Sequence, residues 1–519
     1  MAKIERTKNA TRNIIFGVIL RVYQIVVPFL MRTAMIYIMG VQYLGLNSLF
    51  TSILQVLNLA ELGVGSAMIY SMYKPIADDD NAKICALMNL YRFYYRIIGF
   101  IIAIGGCVLT PFIPKLISGD VPKDINIYIL YLMNLSATVL SYWLYAYKNS
   151  ILQAHQRTDV VSKVTLVTST FQYVMQLLVL WIFKSYYLYI VVMLVTQAIT
   201  NIATAIAADK LYPQFTSKGN LTKFEVAKIN GRIKDLFTSK IGAIIVNSAD
   251  TIVISAFLGL TALAIYQNYY FILTSIIGFI TIVFSAVTAG IGNSLVIETT
   301  EKNFKDLNIF TFIICWISGC CSCCFLNLFQ PFMELWVSKD LMLDFPIVIC
   351  FVIYFYVYEL NQLLNTYKDA GGIWHEDRFR PLVTAIVNLA MNLFMVQFCG
   401  LYGIILSTVL SMLLVGMPWL FHNLFTTMFK KEYMKKYLYS IVFYVSISII
   451  GCIITFFICS FINYGLWITL ITRCLICITI PNFLFFIFYR KRSEFTQSIF
   501  LINKMFHGKL DFIIKKVKM

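Results

Sequence analysis

Residues 13–39 read NIIFGVILRVYQIVVPFLMRTAMIYIM, an apolar run that is interrupted by two arginines, Arg21 and Arg32. The run is long enough to cross a membrane as a helix, which takes about 20 apolar residues. A charge inside the membrane costs ~3 kcal/mol on insertion scales, so it is rarely retained without a role. Positions eleven apart are nearly eclipsed on a helix, so both arginines share one face. We therefore expect this face to line a polar cavity.

The next apolar run, residues 43–72, completes a helical hairpin and carries polar groups at the same spacing. Asn47 and Asn58 are also eleven apart, and Glu61 follows on a nearby face. Lipid offers no hydrogen-bond partners, so polar stripes on apolar helices are expected to point inward. The hairpin thus predicts a cavity with both guanidinium and carboxylate groups.

Composition extends this interpretation to the whole chain. The 519 residues are 60% hydrophobic and 13% charged, whereas a soluble domain is about 45–50% apolar and 25% charged. Apolar segments of membrane-spanning length recur from end to end. We expect an all-α polytopic membrane protein with about 14 transmembrane helices.

The distribution of basic residues predicts the topology. The net charge is +17, and 33 of the 42 Lys and Arg fall in alternate connections and at the two ends. Positively charged connections stay on the cytoplasmic side of a membrane. This pattern predicts a multi-pass membrane protein with both termini cytoplasmic, and it accounts for the charge without nucleic acid.

Two similar turns suggest an internal repeat. Gly40 ends the first span and Gly259 ends the seventh, and each precedes an apolar turn with an Asn soon afterwards. Arg32 and Asp250 lie at similar distances before these glycines, so they are candidate equivalents. Transporters commonly bind substrates between such repeats. The predicted segments are an N-lobe of spans 1–6 (1–208), a basic cytoplasmic inter-lobe loop (209–236), a C-lobe of spans 7–12 (237–424), spans 13–14 (425–489) and a basic cytoplasmic tail (490–519).

Helical spacing selects the remaining candidate site residues. Substrate binding is predicted for Arg21, Arg32, Asn47, Asn58, Glu61, Arg92, Arg96, Gln267, Asn268, Glu359, Gln362 and Asn365, and ion coupling for Asn247 and Asp250. Two structural explanations compete with these roles. Amides, hydroxyls and ion pairs also hold membrane helices together. Arg92 and Arg96 would alternatively extend to the membrane surface.

Enzymatic and metal functions find little support in the sequence. There is no P-loop, HExxH or nucleophile-elbow motif. The predicted outer loops reach only about a dozen residues, whereas a membrane enzyme such as a polysaccharide polymerase needs larger outer loops to hold its substrates. The loop lengths therefore argue against a polymerase. The cluster Cys320, Cys321, Cys323 and Cys324 lies within an apolar helix, and we interpret it as small packing residues.

Three blocks carry a resemblance to a known family. These are the run from Tyr43 to Phe50 with 60–67 and 73–77, the run from Asn247 to Gly259, and the segment from Ser285 to Leu295. They resemble the Wzx-type polysaccharide flippases of the multidrug/oligosaccharidyl-lipid/polysaccharide (MOP) flippase superfamily.

The resemblance implies two pseudo-symmetric six-helix lobes around a central cavity, with two additional C-terminal helices. It implies that an undecaprenyl-diphosphate-linked oligosaccharide moves from the inner to the outer leaflet of the bacterial plasma membrane by alternating access. Membrane lipids, a polysaccharide polymerase and the chain-length machinery are the implied partners. No cofactor is expected, although a buried carboxylate such as Asp250 would allow coupling to a H⁺ or Na⁺ gradient. A multidrug/cation antiporter of the same superfamily is the alternative, and the deep arginines count against it.

Overall fold

The computed structural model describes residues 6–119 and 121–505, and these form helices and short connections with no strand. Within these ranges the side chains of 6–11, 14, 235, 239, 240, 243, 247, 286, 289 and 501–505 are not described. The helices are α1 (Arg6–Ile38), α2 (Val41–Leu57), α3 (Val64–Ala77), α4 (Asn81–Leu109), α5 (Ile127–Trp143), α6 (Asn149–Ala154), α7 (Thr158–Phe183), α8 (Tyr186–Leu211), α9 (Lys223–Ile297), α10 (Thr300–Val337), α11 (Phe345–Ala370), α12 (Arg380–Ser411), α13 (Met417–Thr427), α14 (Lys431–Ser460), α15 (Leu466–Tyr489) and α16 (Ser493–Met505). The predicted all-α class is confirmed.

The described helices agree with the predicted number of spans. Eleven stretches are long and apolar enough to cross a membrane, or twelve when the bent pair α5–α6 counts as one span. Two of these stretches, 244–297 and 380–427, are 54 and 48 residues long, far more than the ~20 that a bilayer requires. Each contains a glycine with non-helical backbone, Gly259 in one and Gly400 in the other. Counting both halves of each gives the fourteen predicted spans.

The predicted paired turns have matching backbone geometry. Gly40 has φ 113° and ψ 159°, and Gly259 has φ 87° and ψ 176°. Both values of φ lie in the region that favours glycine. A side chain at Gly259 would also place its Cβ 2.7 Å from the Ser118 carbonyl oxygen. The turn prediction is therefore confirmed, while internal duplication stays a prediction.

The chain divides into two compact units, 1–264 and 265–519. In the first unit α1 packs against α7 and α2, while α5 packs against α4 and α8. The boundary lies inside α9, so Asp250 belongs to the first unit by its contacts. The predicted lobe boundaries are not tested by this division and stay predictions.

In the second unit α10 is the central helix and packs against α11, α14 and α15. Small sulfur side chains allow this close approach. Cys323, Cys459 and Cys477 form a buried cluster, and the Cys323 Sγ lies 3.6 Å from the Cys452 Sγ. The two C-terminal spans, α14 and α15, thus share the core of this unit.

The predicted inter-lobe loop 209–236 is too long, because α8 extends to Leu211 and α9 begins at Lys223. A capping box starts the helix: the Glu225 backbone N–H donates to the Thr222 hydroxyl (3.3 Å), and the Thr222 N–H donates to the Glu225 carboxylate (3.1 Å). Glu225 also pairs with Lys83 of α4 at 2.5 Å. This hydrogen bond to Lys83 lowers the pKa of Glu225 to about 2. The start of α9 is therefore bound to α4 of the first unit through this ion pair.

Candidate functional site

The second predicted span is broken at its candidate site residues. α2 ends at Leu57, a 3₁₀ turn covers Asn58–Glu61, and α3 begins after Gly63. Gly63 has φ 86°, and a Cβ there would lie 2.7 Å from the Cβ of Leu236. Non-helical backbone within a membrane is tolerated only where protein or a water-filled cavity surrounds it. The break therefore marks the interior of the first unit.

Glu61 accepts a hydrogen bond inside this break. The Tyr95 hydroxyl donates to its Oε1 at 3.1 Å, and the Tyr91 hydroxyl donates to that of Tyr95 at 2.6 Å. The Tyr142 hydroxyl donates to the Asn58 Oδ1 at 3.2 Å. Both tyrosines of α4 are buried. The structure thus brings Asn58 and Glu61 together and surrounds them with phenols that sequence reasoning missed.

A polar cavity of about 360 Å³ adjoins the break. Glu61, Tyr91, Asn149 and Gln153 are among its lining residues. The cavity is also bounded by a second discontinuous span, because α5 and α6 meet at a 49° bend near Tyr145. Discontinuous helices commonly form binding sites in transporters, since their free backbone groups face the cavity.

The two arginines of α1 are half-buried, and their position along a cavity stays a prediction. The Arg21 Nε is buried without a hydrogen-bond partner among the described residues. Arg32 lies beside the phenol of Tyr189 in α8. The opposite side of α1 exposes apolar residues such as Ile19 and Val26. Asn47 is half-buried on α2, and its carbonyl accepts from the Thr51 hydroxyl at 2.8 Å.

Arg92 and Arg96 have different surroundings despite their spacing of one turn. The Arg92 Nη1 donates to the Ser217 hydroxyl at 3.3 Å, in the connection between α8 and α9. Arg96 is exposed, and its carbonyl accepts from the Trp143 indole at 3.3 Å. Arg92 therefore helps to fasten that connection.

Five candidates lie in the second unit. Asn268 and Glu359 are 0% and 1% exposed, and neither side chain has a hydrogen-bond partner among the described residues. Gln267 and Gln362 are half-buried. A buried polar group without a hydrogen-bond partner costs folding free energy, so Asn268 and Glu359 indicate a functional or hydrated position.

Asn365 has a structural contact that sequence reasoning missed. Its Oδ1 accepts from the Arg380 Nη2 at 2.7 Å. Arg380 is bidentate to Asp377, at 2.6 and 2.8 Å, and Asn423 donates to Asp377 at 3.0 Å. These hydrogen bonds connect α11, α12 and α13 around Asp377, and we call the four residues Asn365, Asp377, Arg380 and Asn423 the buried clamp.

The two predicted ion-coupling residues lie on α9. Asp250 is 8% exposed, so it is a buried carboxylate within a membrane span. The side chain of Asn247 lies outside the described residues. Within the described parts of the chain, no cluster of His, Cys, Asp or Glu has the arrangement of a metal site.

Solved structures with the same fold are flippases and transporters. The structure described as "Lipid II flippase MurJ, inward closed conformation" aligns with a TM-score of 0.64 and 15% identity, covering 92% of this chain and 99% of that one. An inward-facing multidrug resistance MATE transporter of the MOP superfamily gives 0.61 and 14%, covering 80% and 99%. The Vibrio cholerae MATE transporter VcmN gives 0.53 and 15%, covering 80% and 96%.

No protein-family profile matches the sequence, and a search of curated proteins gives no match. The structural alignments nevertheless extend over almost the full length of each neighbour. The chain therefore has the fold of the MOP superfamily, which MurJ and the MATE transporters share.

Proposed function

We propose that this protein is a flippase for an undecaprenyl-diphosphate-linked oligosaccharide repeat unit. It would move this lipid from the inner to the outer leaflet of the bacterial plasma membrane by alternating access, for capsular, exo- or O-antigen polysaccharide export. The observation that carries the proposal is the pair Arg21 and Arg32 on one face of α1 within a MOP fold.

The chemistry of the diphosphate favours arginine at these positions. Charged phosphates cost many kcal/mol to remove from water, so they need fixed counter-charges along the path. Guanidinium groups stay charged in apolar surroundings and bind phosphate oxygens through paired hydrogen bonds. Eleven residues of helix separate the arginines by ~16 Å, which would allow the diphosphate to pass from one to the other.

Chain coverage favours a lipid substrate over the multidrug/cation antiporter alternative. About a fifth of this chain has no counterpart in the MATE structure, whereas 92% is covered by the lipid II flippase. The short connections after α4 and after α10 also leave no outer domain for the polymerase alternative.

An apolar cavity in the second unit suits the polyprenyl tail. It has a volume of about 1010 Å³ and lies between α11, α13 and α14. Ile349, Phe421 and Ile453 are among its lining residues. We assign the tail to this cavity, since burying each CH₂ of a lipid chain contributes about 0.8 kcal/mol.

Replacement of Arg32 tests the proposal. Loss of a charge-assisted phosphate contact costs about 1.5–3 kcal/mol, so Arg32→Ala should abolish polysaccharide export in a strain that depends on this gene. Arg490→Ala is the matched control, because Arg490 is exposed and stacks over Phe486 at 6.0 Å. Normal surface polysaccharide with Arg32→Ala at unchanged protein level would refute the cavity role.

A further inference from the structure

A second polar cavity in the first unit differs from the cavity beside Glu61 because no charged residue lines it. Its volume is about 520 Å³, within the range of roughly 300–1,000 Å³ that small-molecule sites occupy. Three helices, α2, α5 and α8, enclose it. We call it the amide cavity and define it by Thr51, Gln55, Asn58, Asn134, Thr138 and Gln197.

The polar side chains of the amide cavity form helical stripes. On α2 and the turn after it, Thr51, Gln55 and Asn58 follow at intervals of four and three. On α5, Asn134 and Thr138 are four apart. Such spacing places each set on one face of its helix. Both stripes fall near the middle of their spans, where transporters commonly place their substrate sites.

Among the described residues, hydrogen bonding between helices accounts for Asn58 but not for the other members of these stripes. The Thr51 hydroxyl donates to the Asn47 carbonyl, and the Thr138 hydroxyl donates to the Asn134 carbonyl, both within their own helices. The Asn134 amide donates to the Leu130 carbonyl at 2.8 Å, which leaves its oxygen as an acceptor. Residues that join membrane helices would instead bond across the gap.

Two bonds do cross between helices, and both lie at one end of the cavity. Tyr142 donates to Asn58 at 3.2 Å, and Asn201 donates to the Ser141 carbonyl at 2.7 Å. Elsewhere in the cavity, Gln55 and Gln197 are exposed although they lie within membrane spans. The Gln197 Nε2 donates to the Asn201 Oδ1 at 3.3 Å within α8, which leaves the Gln197 oxygen and the Gln55 amide facing the cavity. Lipid cannot satisfy an exposed amide, so this surface must face water or a polar ligand.

We infer that the amide cavity binds a sugar ring of the transported lipid, an inference that rests on the proposed flippase function. Amides and hydroxyls both donate and accept, as the hydroxyls of a sugar require. The absence of charge among the lining residues makes the cavity a poor diphosphate site. Recognition is thus divided: guanidinium groups of α1 hold the diphosphate, and the amide cavity holds the saccharide.

The experiment compares two lipids on the purified full-length protein in nanodiscs. One is undecaprenyl diphosphate, and the other is the undecaprenyl-diphosphate-linked saccharide that accumulates when this gene is deleted. We expect Gln55→Leu and Asn134→Leu each to weaken binding of the glycosylated lipid about fivefold, equal to about 1 kcal/mol. Binding of the bare lipid should be unchanged. Because Gln55 is exposed, its variant is expected to fold even if that of Asn134 does not.

Thr168→Val is the matched control. It removes a hydroxyl that accepts from Thr200 at 2.8 Å between α7 and α8, outside the amide cavity, so the preference for the glycosylated lipid should persist. If both cavity variants keep the wild-type preference, or lose affinity for both lipids equally, the sugar site is refuted and the flippase function stands. If the wild-type protein binds neither lipid, the proposed function fails and the sugar site fails with it.

Discussion

Replacing Asp377 by alanine should strongly destabilise the second unit. The Asp377 and Arg380 side chains are 2% and 7% exposed, and the carboxylate accepts two bonds from Arg380 and one from Asn423. The Lys368 Nζ also lies 3.6 Å from the carboxylate. Without it, the buried guanidinium keeps only Asn365 at 2.7 Å. Removing one partner of a buried ion pair costs about 3–5 kcal/mol. At roughly 2–4 °C per kcal/mol for a unit of this size, the Tm should fall by about 6–20 °C.

The assay is heating in detergent followed by fluorescence-detected size-exclusion chromatography. Glu301→Ala is the control, because Glu301 and its partner Lys430 are 53% and 54% exposed and pair at 2.8 Å; such a pair contributes about 1 kcal/mol or less. Combining Asp377→Leu with Arg380→Met removes both charges and should recover most of the loss. The reasoning is refuted if Asp377→Ala lowers Tm no more than the control does, or if the double variant gains nothing.

Three further predictions follow from other parts of the chain. Asp250→Asn should alter the pH or Na⁺ dependence of transport in proteoliposomes, and an unchanged profile would remove its coupling role. Because the pKa of Glu225 is lowered from 4.5 to about 2, its contribution is present above pH 4.5 and is lost as pH falls towards 2. As pH falls over this range, pepsin cleavage of the adjoining connection should therefore accelerate more in the wild-type protein than in Glu225→Gln, which has no carboxylate to protonate and corrects for the pH dependence of pepsin itself. Equal acceleration in the two proteins would contradict the role of Glu225. Copper-phenanthroline oxidation should form a disulfide between Cys323 and Cys452, whose sulfurs lie 3.6 Å apart. If a protease site is inserted at 338–344, between α10 and α14, the two fragments of the cleaved protein should remain linked by this disulfide. Separation of the fragments after oxidation would contradict the α10–α14 packing.

The sequence predicts the spans well because their signals are local. Apolar length identifies each span, and a glycine with positive φ ends the helix at Gly40 and at Gly259. Each signal depends on a few neighbouring residues. The all-α class and the number of spans therefore follow without knowledge of any tertiary contact.

The breaks and the clamp required the structure because their causes lie far away in sequence. Hydropathy is continuous through Glu61, yet the helix breaks where Gly63 meets Leu236 of α9. Asn365 shares a polar face with Glu359, which predicted a common role, but Arg380 of the next helix engages Asn365. Spacing identifies the face that a side chain occupies, and only packing identifies its partner.

The contacts of the basic segment 209–236, which includes the first turns of α9, have a consequence for biosynthesis. Its basic residues carry the charge that would orient the nascent chain during insertion. In the folded protein one of them, Arg232, donates to the Ser71 hydroxyl at 3.1 Å and stacks over Tyr70 at 4.6 Å. Arg232 would thus have two roles. During insertion it would contribute to the topology signal, and in the folded protein it binds α3. Neighbouring lysines can replace it in the first role, whereas the planar guanidinium is required for the second.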